Sequence, residues 1–226
     1  LSRLVDMGMT RADADAIFAV PPERLVTTSS TQLPQIEALG LTDRLIGHDR
    51  FDYVTSAALR QRIDAGLMAE VGDGVRLNTE ILLDLRPDLV FVFSIGSPEL
   101  DLLGSLRNAG IPFAIDAAWV EATPLARAEW IKYTATFFDR EEEAERLFGE
   151  IADRYEELVA LASSVSHRPT VLTGAPFRGT WHVSGGRGFQ ARFIADAGGE
   201  YLWGDDHSHG SIPLDLEAVY ARGIDA

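Results

Sequence analysis

The sequence predicts an α/β protein of two similar lobes joined by one long helix, with the second lobe apparently cut short. Three observations predict it. Short apolar strand patterns alternate with helical ones on both flanks of the chain. One uninterrupted helical pattern occupies the middle. A series of local patterns in the first flank returns, in the same order, in the second.

The first flank opens with Leu25–Thr28, then Leu89–Phe93 and Phe113–Ile115, short runs rich in apolar or β-favouring residues and bounded by Pro, Asp, Gly or Ser. Thr170–Thr173 is their counterpart in the second flank. Between the strands of the first flank, Leu33–Leu39, Ala57–Ile63, Thr79–Leu85 and Leu100–Ala109 read as helices. Strands alternating with helices imply parallel sheets covered by helices.

The central helix follows Asp139, which with Glu142 has the N-cap/N3 spacing of a capping box. Behind it Ala144, Leu147, Phe148, Ile151, Tyr155, Leu158, Val159 and Ala162 recur at i, i+3, i+4 spacing, one apolar face. Glu142–Arg146 and Glu150–Arg154 form i,i+4 pairs on the other side. About 24 residues at ~1.5 Å each make a rod of about 36 Å. That length fits a strut between lobes, although an ordinary core helix satisfies the same spacing.

The repeat is local but ordered. Ile36-Glu37-Ala38-Leu39-Gly40, then Leu45-Ile46-Gly47, is echoed by Ile194-Ala195-Asp196-Ala197-Gly198, then Leu202-Trp203-Gly204. Each copy reads as an apolar helix stopped by a glycine suited to a left-handed C-cap, with a strand after it. Leu77-Asn78-Thr79-Glu80-Ile81-Leu82 is echoed by Leu214-Asp215-Leu216-Glu217-Ala218-Val219, each with an Asn or Asp N-cap and a glutamate two positions on. The first copy runs through Arg86-Pro87-Asp88 into a strand, a helix and another strand; the second reaches Gly223-Ile224-Asp225 and stops at Ala226. The expected division is residues 1–138 for the first lobe, 139–164 for the joining helix and 165–226 for an incomplete second lobe.

Composition narrows the function. Acidic residues outnumber basic ones by 35 to 20, a formal charge of −15, which argues against a nucleic-acid partner. No window approaches the roughly 18 unbroken apolar residues of a membrane helix. The chain holds no cysteine, which excludes thiol nucleophiles, iron–sulfur clusters and thiolate zinc sites. Leu1 falls inside what reads as a leading segment, so the expectation is a processed or trimmed terminus.

Several stretches resemble one family. Pro22-Glu23-Arg24-Leu25-Val26, Ala38-Leu39-Gly40 through Leu45-Ile46-Gly47, and Asn78-Thr79-Glu80 through Leu85-Arg86-Pro87-Asp88-Leu89-Val90 resemble the N-lobe of solute-binding proteins of ABC importers. The subgroup is class III, which serves iron-siderophores, haem and cobalamin. Trp130-Ile131 through Glu142-Glu143-Ala144 and the long helix resemble its interlobe helix. Trp181 to Gly186, Asp196-Ala197-Gly198-Gly199 and Pro213 to Val219 resemble the start of its C-lobe. The resemblance implies capture of a ferric siderophore, haem or cobalamin, with no resident cofactor. It also implies a place in the periplasm or anchored on the outer face of the cytoplasmic membrane. The partner it implies is an ABC-importer transmembrane permease, met through one exposed glutamate per lobe; by motif position these are Glu80 and Glu217. As residues alone, both also fit plain first-turn helix stabilisers.

Ligand contacts are expected from loops after strands. These are Ser29–Gln32, His48–Tyr53, Ser94-Ile95-Gly96, Trp119, Phe177-Arg178-Gly179 and Asp205–His209. Arginine with aromatics suits a flat, anionic chelate, and the selected ligand-binding residues are Arg50, Tyr53, Trp119, Arg178 and His209. Each also fits a surface or packing role. Asp205-Asp206-His207-Ser208-His209 could form a metal motif, but it reads better as a solvated acidic loop. Gly185-Gly186-Arg187-Gly188 lacks the lysine and Ser/Thr of a P-loop and reads as a turn. No nucleophile–base arrangement stands out, so the chain is not read as an enzyme. The alternative class is a metal-dependent enzyme, or enzyme subunit, of two-lobed α/β architecture.

Overall fold

The computed structural model describes residues 17–73, 76–93 and 102–224. The chain divides into two compact units: residues up to Ala117 with Tyr133–Ala144, and Ala118–Lys132 with the chain from Glu145 onward.

The first unit is built on a parallel sheet. Its strands are β1 (Leu25–Thr27), β2 (Leu45–His48), β3 (Ala69–Glu70), β4 (Leu89–Phe93) and β5 (Phe113–Asp116), in the order β3-β2-β1-β4-β5. All four pairings are parallel. Leu25, Val26, Leu89, Val90 and Val92 are fully buried, as expected of central strands that lack polar–apolar alternation because both faces are covered. The helices are α1 (Leu33–Ala38), α2 (Ala57–Asp64), α3 (Thr79–Leu85) and α4 (Leu102–Asn108). Leu82 of α3 and Leu106 of α4 complete a core with Val26, Val71, Val90, Val92 and Ile111.

The predicted glycine stops are real. Gly40 lies at φ +68° after α1, where Leu41 N–H donates to Ile36 O and Gly40 N–H to Glu37 O. This pair of bonds satisfies carbonyls that the helix end leaves orphaned. Gly198, at φ +82° in the second unit, repeats it: Gly199 N–H donates to Ile194 O and Gly198 N–H to Ala195 O. The stretch Arg86-Pro87-Asp88 also acquires a physical role. Arg86 is left-handed and ends α3, Arg24 Nε donates to Leu85 O at 3.0 Å, and Asp88 Oδ2 accepts from Glu23 N–H at 2.9 Å and Arg24 N–H at 3.0 Å. Those bonds tie the start of β1 to the start of β4.

The chain continues through α5 (Pro124–Thr136) and α6 (Glu141–Ser163), the long helix, of 23 residues. Asp139 does not cap it. Asp139 is left-handed at φ +53° in the turn after α5, Arg140 N–H reaches back to Ala135 O, and the first α6 bond runs from Ala144 N–H to Arg140 O. A short polar residue that tolerates the left-handed region is closing α5 here rather than opening α6. The apolar face is also rotated from the expected one. Ile151 and Leu158 are 45% and 46% exposed, while Ala144 is fully buried and Leu147, Phe148, Ala152, Tyr155, Val159 and Ala162 are shielded to different degrees. Residues 118–132, expected with the first lobe, group with the second unit. Lys132 explains part of this: its Nζ pairs with Glu145 at 2.8 Å and lies 4.3 Å from the Phe148 ring centroid.

The second unit holds a parallel pair, β6 (Thr170–Val171) with β9 (Glu200–Tyr201). It also holds an antiparallel sheet of β7 (Ala175–Phe177), β8 (Thr180–Ser184) and β10 (Ser211–Leu214), in the order β10-β8-β7. Leu202–Gly204, expected as a strand, is a turn; the pairing residues are Glu200 and Tyr201, just before it. Helices α7 (Phe189–Asp196) and α8 (Leu216–Ile224) cover the strands around Val183, Ala191, Tyr201, Trp203 and Val219. Ser94-Ile95-Gly96, the first two residues of the helix expected at Leu100–Ala109, Asp225 and Ala226 lie outside the described residues.

Candidate functional site

In the first unit the strand order reverses between β1 and β4. Ligands of open α/β sheets sit at the carboxyl ends of strands beside such a reversal. The loop after β1 is a short 3₁₀ turn, Ser30–Gln32, closed by a capping box between Ser29 and Gln32. Gln32 is 2% exposed; its Oε1 accepts from Thr28 N–H at 3.1 Å and Ser29 N–H at 3.2 Å, and its Nε2 has no hydrogen-bond partner among the described residues. Beside it His48, also 2% exposed, shares a hydrogen bond of 2.8 Å between its Nδ1 and Thr27 Oγ1. Burial disfavours the imidazolium and lowers the His48 pKa to about 4, outweighing Thr27 and Glu70, which act the other way.

The loop after β2 carries Arg50 and Tyr53. Arg50 lies 5.2 Å from the centre of the Tyr53 ring, forms an ion pair with Asp52 and donates to Asp73 O at 3.4 Å. The loop is held from behind: Phe51 N–H donates to Glu70 Oε1 at 2.7 Å and Arg60 Nε to Val54 O at 2.6 Å. Tyr53 is 64% exposed, so the loop presents an open aromatic ring beside an arginine already ion-paired with Asp52.

The second unit contains a cavity of ≈ 740 Å³ lined by Trp119, Glu121, Arg127, His182, Phe189 and His209, among others. Trp119 and His209 were selected from the sequence and stand together here; His209 Nδ1 lies 3.1 Å from Arg187 O. Arg127 and Phe189 were not selected. The Arg127 guanidinium carbon lies 3.8 Å from the centroid of the Phe189 ring, while Nε donates to Glu121 O at 3.0 Å and Nη2 to Trp119 O at 2.8 Å. Desolvation pulls the Arg127 pKa down, with Glu121 acting against it. Such a group binds an oxyanion well, because part of its hydration is already gone.

The glycine run after β8 is a turn, as expected, and its reason is close backbone approach. A Cβ on Gly185 would lie 2.2 Å from Ser208 O, and one on Gly188 would lie 2.8 Å from His209 O. The turn therefore presses the loop that carries His209 against the start of α7. Arg178 sits elsewhere. With Gly179 it forms the two-residue turn between β7 and β8, both at positive φ (51° and 84°), and it does not line this cavity. The Asp205–His209 loop spends its acids structurally: Asp206 accepts from Ser208, and Asp205 pairs with Arg222. Among the described residues no group of three or more His, Asp or Glu side chains could hold a metal ion.

Glu80 and Glu217 are both exposed in the first turns of α3 and α8. Asn78 Oδ1 accepts from Glu80 N–H at 3.1 Å, and Asp215 Oδ1 from Ala218 N–H at 2.7 Å. Side-chain caps from Asn78 and Asp215 thus open both helices, as the repeat predicts.

Residues 25–226 match the family model described as periplasmic binding protein, and the chain belongs to that family. This is a family of solute-binding proteins rather than enzymes. An uncharacterized lipoprotein of Methanocaldococcus jannaschii is 24% identical over 219 residues, 93% of this chain and 52% of the relative. The chain thus spans about half the length of the curated relatives it matches. A periplasmic heme binding protein from Pseudomonas aeruginosa superposes with a TM-score of 0.69 at 24% identity, over 89% of this chain and 69% of the other. An ABC-type Fe3+-hydroxamate transport system protein from Saccharomonospora viridis gives a TM-score of 0.67 at 21% identity, over 95% and 76%. No helix among the described residues is long and apolar enough to cross a membrane.

Proposed function

We infer that the protein is an extracytoplasmic solute-binding protein that delivers an iron chelate (a ferric siderophore or haem) or cobalamin to an ABC importer. The observation that carries this reading is the pairing of family membership with a roomy cavity walled by Trp119, Phe189 and Arg127. Aromatic faces suit a flat, bulky chelate, and an arginine suits its oxyanion groups. Arg50 and Tyr53, rigidly held in the first unit, supply the same pair of chemistries and are assigned to the ligand as well. Arg178, exposed at a hairpin tip, is the weakest of the selected contacts.

Docking to the permease is assigned to Glu80 and Glu217. A carboxylate in the first turn of a helix is favoured by the helix dipole, and arginines on a permease would bind it directionally. The location is the periplasm or the outer face of the cytoplasmic membrane, with the lipoprotein relative in support of the anchored form. Proteoliposomes carrying the cognate permease test the whole reading. Adding the protein should stimulate ATP hydrolysis and uptake of one of the three chelates. Stimulation by none of them would refute it.

A further inference from the structure

The cavity of the second unit contains a positive charge that makes no direct ion pair with a carboxylate among the described residues, although Glu121 is near enough to favour it. Arg127 is clamped rather than paired. Two carbonyls, of Glu121 and Trp119, take its Nε and one Nη2 hydrogen, and its Cζ lies over the ring of Phe189, 3.8 Å from the centroid. Of the five N–H donors of a guanidinium, about three therefore remain for something else. Glu121 lines the same cavity; its Oε1 accepts from Trp130 Nε1 at 3.1 Å, and its charge favours the Arg127 cation without a direct ion pair. The platform is itself braced: Phe189 stacks on Phe193 with ring centroids 5.9 Å apart and an interplanar angle of 16°. A partly desolvated arginine held by two carbonyls and a ring, with no direct ion pair among the described residues, is a receptor for a planar oxyanion.

We propose that Arg127 is the specificity-determining residue of this cavity and takes a carboxylate, or a comparable oxyanion, of the ligand on its open edge. Phe189 and the two carbonyls fix the plane in which that group must arrive. The inference rests on the chelate-binding reading and sharpens it. Haem, with two propionates, should depend on Arg127 more strongly than cobalamin, whose corrin side chains are amides and whose one anionic group is a phosphodiester set off from the ring.

The test is fluorescence quenching of the purified protein, since Trp119 borders the cavity, with haemin, cyanocobalamin, a ferric siderophore and citrate as probes. The variants are Arg127→Gln and Arg127→Lys. Losing a charge-assisted bond should weaken haemin and citrate about tenfold or more in Arg127→Gln. Arg127→Lys, which keeps the charge, should recover most of that loss, and cyanocobalamin should lose clearly less affinity than haemin in Arg127→Gln. Recovery by lysine also shows that the fold survives. Equal losses for haemin and cyanocobalamin would assign Arg127 a structural role and overturn the proposal. Chelate binding that ignores Arg127→Gln would overturn it while leaving the solute-binding reading intact. Citrate binding that depends on Arg127, with no chelate bound at all, would support the anion site and refute that reading instead.

Discussion

Acidification from pH 7 to pH 5 should destabilise the first unit, and His48 sets the size of the effect. The imidazole is buried between strands and prefers the neutral form, with a pKa lowered from 6.5 to about 4. In the unfolded chain it titrates normally, so between these two values the unfolded state binds more protons than the folded one. The stabilising contribution is therefore complete above pH 6.5 and is lost as pH falls toward 4. At about 1.4 kcal/mol per pKa unit the full loss is about 3 kcal/mol, of which about 2 kcal/mol has gone by pH 5. Urea denaturation of the wild type and His48→Asn at both pH values measures it. Asparagine can keep a bond to Thr27 but cannot titrate. The variant should start about 1–2 kcal/mol less stable at pH 7, from lost packing, and change little by pH 5. If both proteins lose the same stability between pH 7 and 5, His48 is not the group responsible.

Three further outcomes follow from particular residues. Leu82→Ala, in the core between α3 and the sheet, should cost about 2–5 kcal/mol in chemical denaturation and leave the second-unit cavity able to bind. Gly198→Ala should cost about 1 kcal/mol or more, measured as a lower thermal midpoint, because φ +82° strains an alanine and its Cβ would sit 3.2 Å from Ala162 O. Glu80→Lys and Glu217→Lys should each abolish most permease stimulation in proteoliposomes, shift stability by less than about 1 kcal/mol, and leave ligand affinity unchanged; loss of ligand affinity would overturn the docking assignment.

Much of the fold was legible because local signals agreed with one another. Leu89–Phe93 and Thr79–Leu85 match the observed elements at both ends, since Asn78 opens the helix and Arg86-Pro87-Asp88 separates helix from strand. The glycine stops at Gly40 and Gly198 were legible for the same reason. Less was legible in the second unit. β7 and β10 contain Pro176 and Pro213, which argue against strands unless the strand lies at an edge, and the edges are where the order β10-β8-β7 puts them. Asp139 misled because one short acidic residue suits either the end of one helix or the start of the next. Nothing in the sequence marks Arg127: it lies inside a helix with little amphipathic pattern, its two carbonyl partners are Trp119 and Glu121, and its ring partner is some 60 positions away. Trp119 and His209 were selected because loop aromatics and histidines stand out singly, whereas nothing in the sequence marks the cavity they both line.

The central claim is that this chain belongs to a protein that captures a metal chelate, and native mass spectrometry tests it most directly. The purified protein is mixed in turn with a ferric hydroxamate siderophore, haemin and cyanocobalamin, and each mixture is sprayed without denaturant. The account predicts a 1:1 complex with at least one of them, surviving dilution to about micromolar concentration, as expected of a specific site. Absence of a complex with all three, together with hydrolytic turnover that depends on added metal, would contradict it.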